Sequence, residues 1–217
     1  MRKEVLMATR PQGNPWLSIW TEPKRTIRSI VDTDSRFGFL ILAFFYGLPL
    51  AFNSAQSFNL VSVIPFWAVV AASLIASFFL GMMGICVSAW LLQVVGRWMG
   101  GRGDFASVRA AVAWSNVPNC VTVLMWGVLL SLFGSSVFNR HFAETQFIGY
   151  QAGILFLVML VESIASIWGF IILLNVLAEV HGFSLWKALL NVLIPFVAVV
   201  AIIWLAGWAM WGSQINY

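Results

Sequence analysis

Charge is scarce in this 217-residue chain: 9% of residues are Asp, Glu, Lys or Arg, and 61% are hydrophobic. An ordinary soluble domain carries roughly 25% charge. A globule of this size leaves much of its surface in water and has no way to conceal so much apolar area. The composition therefore excludes a water-soluble fold. Cysteine is nearly absent, with Cys86 and Cys120 both set inside hydrophobic blocks. Two isolated thiols make neither a disulfide framework nor a zinc site, and they read as small apolar packing residues. The two histidines, His141 and His181, fall in connections expected on opposite membrane faces. They read as solvated loop residues and cannot share a metal; a Glu179-Val-His181 triplet alone is a weak ligand set.

Catalytic signatures are missing too. There is no H-E-x-x-H, no G-x-S-x-G, no P-loop and no carboxylate pair at one depth. Gly100-Gly101-Arg102-Gly103-Asp104 lacks the following Lys-Ser or Lys-Thr and follows no strand, so it reads as a flexible turn. No enzyme activity, cofactor or metal is expected. The first 36 residues are polar and basic with no apolar run before a cleavage site, so no secretory leader is expected and the first span acts as its own insertion signal. The basic residues are too few and too interrupted to track a phosphate backbone, which argues against nucleic acid.

Long apolar runs are what the chain does have. A spanning helix needs about 20 such residues. Five candidates follow: Phe37 to Asn53, Pro65 to Val95, Ala113 to Phe133, Phe147 to Ala178, and Leu190 to Trp211. The expectation is an all-α polytopic membrane helix bundle of five transmembrane helices. The second and fourth exceed a ~30 Å hydrocarbon core and must tilt, bend or protrude. Seven of the twelve Lys and Arg lie in the first 36 residues, and three more are Arg97, Arg102 and Arg109. The positive-inside rule then orients the chain with its N-terminus in the cytoplasm and its C-terminus outside, in a cell's inner membrane.

Residues 1–36 form a cytoplasmic segment ahead of a 37–217 transmembrane domain. Trp16, Ile19, Trp20, Pro23, Ile27, Ile30 and Val31 recur at helical spacing, with Lys24, Arg25 and Arg28 on the other side. One expectation is an interfacial amphipathic helix, with Trp16 and Trp20 at the lipid boundary and Lys24, Arg25 and Arg28 towards anionic lipids. The other is a packing helix that covers the mouth of the bundle.

An internal echo links Phe105-Ala-Ser-Val-Arg109-Ala with Phe183-Ser-Leu-Trp-Lys187-Ala. Each runs on through an Asn-Val pair to Pro118 or Pro195. It suggests a repeat of helices two and three in helices four and five. Small residues at Ser73, Ser77, Gly81, Gly84 and Ser88, and at Gly149, Gly153, Ala165, Ser166 and Gly169, read as packing seams, with a pore lining as the sharper alternative.

Glu162 stands alone in the fourth apolar block, and a carboxylate at that depth usually faces a bundle interior. Asn116, Asn119 and Ser166 are polar groups able to meet it, although the two asparagines flank Pro118 and also serve to repair its lost backbone bond. The site reads either as a proton, cation or substrate site of a small transporter or channel, or as a polar clamp between helices.

Asn14-Pro15-Trp16, the Pro23-Lys-Arg-Thr-Ile-Arg28 segment, and the Gly103-Asp104-Phe105 turn leading to Asn116-Val117-Pro118 resemble the Yip family, the Ypt-interacting proteins. The resemblance covers about residues 14 to 210. It implies five spans with a cytoplasmic N-terminus, and the short N-terminal segment resembles the prokaryotic branch. Eukaryotic members of the family are associated with Rab-type GTPases and vesicle traffic. The expected function is a non-enzymatic membrane protein that organises membrane or partner proteins through its cytoplasmic face. Its expected partners are the bilayer and either another protein or a second copy of the chain.

Overall fold

The computed structural model describes residues 13–145 and 147–214. Residues 1–12, with Arg2, Lys3 and Arg10 of the basic segment, and residues 215–217 of the transmembrane domain lie outside that description. All regular structure among the described residues is helical. Eight α-helices follow in order: α1 Pro15–Ser18, α2 Pro23–Thr33, α3 Phe39–Ser57, α4 Phe66–Trp98, α5 Phe105–Ser115, α6 Cys120–Phe133, α7 Tyr150–His181 and α8 Leu185–Gln214. Short 3-10 turns join α3 to α4 and α6 to α7. Five stretches are long and apolar enough to cross a membrane: Phe39–Ser57, Phe66–Trp98, Cys120–Phe138, Tyr150–His181 and Leu185–Trp208.

The third span departs from its expected bounds. Instead of running from Ala113 to Phe133, the chain closes α5 at Ser115 and starts α6 at Cys120. Pro118 has no N–H to donate and disfavours a helical Val117, which breaks the helix there. The Asn116 side chain bends back to donate to the Val112 carbonyl at 2.7 Å. Most of α5 is buried by protein: Val108 and Ala110 to Ser115 are inside. The fifth helix starts earlier than expected, at Leu185, and passes through Pro195 without ending. The Ser184 hydroxyl accepts from the Lys187 N–H at 3.4 Å and opens it. The two hairpins of the echo therefore differ, with α5 and α6 on one side and a single helix on the other.

Two cores hold the bundle. One, on the side of α1 and α2, gathers Ile19, Ile27, Ile30, Val108, Trp114, Ile172, Val176 and Leu177. The other, at the opposite end, stacks Phe52, Trp126 and Phe138, with ring centroids 5.1 to 6.0 Å apart. There the Gln56 amide donates to the Val137 carbonyl at 2.7 Å and ties α3 to the turn after α6.

Between the cores, α3 and α4 touch backbone to backbone. A Cβ on Gly47 would overlap the Ser77 carbonyl, and one on Gly81 would overlap the Ala43 carbonyl. Ser73, Ser77 and Gly81 are buried on this seam, so most of the small-residue stripe of α4 is packing surface. In α7 only Ala165 and Gly169 of the expected stripe are buried, and Gly149 and Gly153 meet nothing. Small residues suit such contacts because lipid supplies no hydrophobic drive for helix association. Gly81→Leu is expected to force α3 and α4 apart, costing about 3 kcal/mol or more, read as a lowered unfolding midpoint in detergent. Gly153→Leu, at an open position, is expected to leave that midpoint unchanged.

Candidate functional site

The first functional region is a helical layer at one end of the bundle. Asn14 caps α1, its side chain accepting from the Trp16 N–H at 3.1 Å, and Pro15 takes the first helical position. Thr26 joins α2 to α1 by donating its hydroxyl to Ser18 Oγ at 2.9 Å. Ile19, Ile27 and Ile30 are fully buried, so the apolar face of this segment lies against the bundle. Trp16 is half-buried and packs on Trp114, with centroids 5.1 Å apart; Trp20 is half-buried against the same core. Lys24, Arg25 and Arg28 stand on the exposed side. Arg28 donates from Nε to Glu179 Oε1 at 2.7 Å, and a second guanidinium nitrogen reaches the same oxygen.

Trp114 is the hub beneath this layer. It is 1% exposed, donates from Nε1 to the Phe37 carbonyl at 3.2 Å, and lies parallel to the Phe37 ring. Gly38 lets the chain turn above it at φ +71°, where any Cβ would press 2.9 Å from the indole. Beside it, the Arg109 guanidinium lies over the Phe39 ring at 4.7 Å and the Phe105 ring at 5.9 Å. The Phe105 and Arg109 of the internal echo thus meet as a ring and a cation, whereas nothing in the sequence pattern singles out Trp114.

His181 is the plainest correction. Read as a solvated loop residue, it is 1% exposed. Its ring stacks on Phe183 at 5.0 Å, and its Nδ1 accepts from the Gly103 N–H at 3.3 Å. Arg102 donates its N–H to the His181 carbonyl at 3.2 Å. A Cβ on Gly101 would sit 2.5 Å from Nδ1 and one on Gly103 2.9 Å from it, while one on Gly96 would collide with the same ring. The glycine-rich stretch read as a flexible turn is thus a fitted wrapping around an imidazole. It fastens the α4–α5 connection to the end of α7. Asp104 then opens α5, accepting from the Ser107 N–H at 2.9 Å.

The second region is a lateral cleft of about 440 Å³ between α4, the α5–α6 break, α7 and α8. Its polar wall is Tyr46, Ser88, Ser115, Asn116 and Asn119; its apolar wall includes Phe170, Leu173, Val192, Pro195 and Phe196. Asn119 Nδ2 donates to Asn116 Oδ1 at 3.0 Å, whereas the buried Asn119 Oδ1 has no partner. Nearby in sequence to Val192, Asn191 is wholly buried with both amide atoms unpartnered. The structure thus brings Asn116 and Asn119 together and leaves Glu162 and Ser166 outside the cleft lining. Glu162 is half-buried and has no hydrogen bond or ion pair among the described residues, and Ser166 is exposed. No group of three metal-ligating side chains occurs among the described residues.

Five long apolar helices, a backbone-tight helix pair and a buried terminal layer define a multi-pass helical membrane protein. The chain belongs to the Yip1 domain family, whose model, described as the Yip1 domain, matches residues 17–207. Comparison with curated proteins and with solved structures finds no match.

Two measurements check this geometry. His181→Ala is expected to open a void among the glycines and strip Gly103 of its acceptor, lowering stability by about 2–4 kcal/mol in detergent unfolding. His141→Ala, on an exposed ring, is expected to change little. Hydrogen bonds from Ser107, hydroxyl first and N–H second, hold the Asp104 carboxyl below its ordinary value. A depressed carboxyl stabilises above its unfolded pKa near 3.9 and loses that contribution as pH falls through the folded value. Asp104→Asn, which keeps a cap but not the charge, is therefore expected to flatten the fall in stability below about pH 4.

Proposed function

We propose that this Yip1-family protein is a non-enzymatic organiser that gathers membrane or partner proteins at the face formed by α1, α2 and the ends of α4, α7 and α5. In this reading that face is cytoplasmic, the C-terminus lies on the far side, and the membrane is a cell's inner membrane. The observation that carries it is the rigid terminal layer. A 33-residue α4 and a 32-residue α7 are each about 50 Å long, and the lengths beyond a ~30 Å core are capped by well-packed protein. Such a layer holds a fixed surface in water while the spans hold it at the membrane.

The outer side of α2 shows what that surface offers. Lys24 and Arg25 are exposed, and Leu17 of α1 is 70% exposed. A transporter built on Glu162 finds less support, because that carboxyl does not reach the polar cleft. The charge bias supports the orientation, since ten of the twelve Lys and Arg fall before α3 or between Arg97 and Arg109.

Cysteine labelling tests both parts. With Cys86 and Cys120 replaced by Ala, Arg140→Cys is expected to react with a membrane-impermeant maleimide in intact cells, and Arg25→Cys only after lysis. The reverse pattern would refute the orientation. Lys24→Glu with Arg25→Glu is expected to leave stability within about 0.5 kcal/mol, since both are exposed, yet abolish photocrosslinks made from position 17. Persisting crosslinks would remove α2 as the organising surface.

A further inference from the structure

The cleft lies at a particular depth. Counting about 20 residues, the thickness of a hydrocarbon core, from the far end of α4 at Phe66 reaches Ile85, and from the far end of α7 at Tyr150 reaches Gly169. The α6 span begins at Cys120. Ser88, Asn119 and Gly169, all lining the cleft, therefore sit together at the boundary between acyl chains and headgroups. At that level a lipid changes from tail to polar groups, and there Ser88, Asn116 and Asn119 give the cleft a polar patch between the apolar Phe196 and Val199 on one side and Leu92 and Leu173 on the other.

Its mouth is open to the surrounding bilayer. Beyond Pro195, α8 leaves the bundle, and the residues from Phe196 to Trp208 are exposed. Phe170, Phe196 and Val199, on the rim, are 41%, 63% and 44% exposed and carry no polar group. Within a span, such a mouth faces lipid tails. On the polar wall, the Asn116 and Asn119 amide nitrogens are both engaged by protein acceptors. Each amide keeps a second N–H, and Tyr46 and Ser88 add hydroxyls, but the buried Asn119 Oδ1 is an acceptor with no donor. A buried acceptor left unpaired costs free energy, so a fitting occupant brings a donor.

We propose that this cleft holds one diacyl lipid from the leaflet on the α1–α2 side, and that the lipid is chosen by a hydroxyl or ammonium donor in its polar part. One acyl chain lies along Phe196 and Val199, and the donor meets Asn119 Oδ1. The geometry is the same whichever side of the membrane α1 and α2 occupy.

Native mass spectrometry of the detergent-solubilised protein, titrated separately with dioleoyl phosphatidylethanolamine, phosphatidylglycerol and phosphatidylcholine, tests this. The first two carry donors and the third does not. The one-lipid adduct is expected to form about tenfold more tightly with the donor-bearing pair, the worth of one hydrogen bond. Asn119→Leu is expected to abolish that preference while leaving a lipid bound. Val199→Trp, an exposed site the fold tolerates, is expected to weaken all three adducts by blocking the mouth. Equal affinity for the three lipids in the unmodified protein overturns the donor. Adducts untouched by Val199→Trp, with the fold verified by thermal unfolding, overturn the cleft as their site.

Discussion

A hydrocarbon core about 30 Å thick cannot clothe helices of 33 and 32 residues. Everything at the α1–α2 end answers that mismatch. The overhanging ends of α4 and α7 carry apolar residues such as Val95, Ile172 and Val176, all of them buried. Protein must cover them instead. The chain supplies the cover from two places in its sequence: α1 and α2 from before the first span, and α5 from the loop after the second.

That cover explains the odder local features. Breaking the third apolar block at Pro118 frees α5 to lie over the overhang instead of continuing into lipid. Fastening the overhangs to one another needs the His181 ring between Gly96, Gly101 and Gly103, where a larger residue has no room. Arg28 closes the outer edge on Glu179, a half-exposed pair worth at most about 1 kcal/mol. Apolar burial at Ile19, Ile27 and Ile30 contributes far more, roughly 1.5–3 kcal/mol for each side chain. The break also leaves the amide groups of Asn116 and Asn119 free to line the cleft.

Much of the fold is legible in the sequence because hydropathy over 20 residues is a strong signal. Five spans, two of them over-long, and the Yip1 family follow from it and from short motifs. The third boundary misled because Ala113 and Trp114 are as apolar when buried in protein as when facing lipid. Only Pro118 and its flanking asparagines marked the break. His181 was missed for a different reason. Polarity places a histidine in a loop, and its burial depends on three glycines whose close approach no periodicity encodes. Glu162 shows the converse, since a lone carboxylate draws attention in sequence yet stands apart from the polar cleft. The asparagines, weighed as a helix repair and as a site, turn out to lie on one wall together.

Hydrogen exchange in nanodiscs, comparing the protein with an Ile27→Asp, Ile30→Asp variant, tests most directly whether the terminal layer clothes the overhangs. Loosening α2 is predicted to speed exchange about tenfold or more at residues 108–114 and 172–181, while residues 70–85 and 154–165 keep their protection. Unchanged exchange at 108–114 and 172–181, or a uniform rise along α4 and α7, would contradict the account.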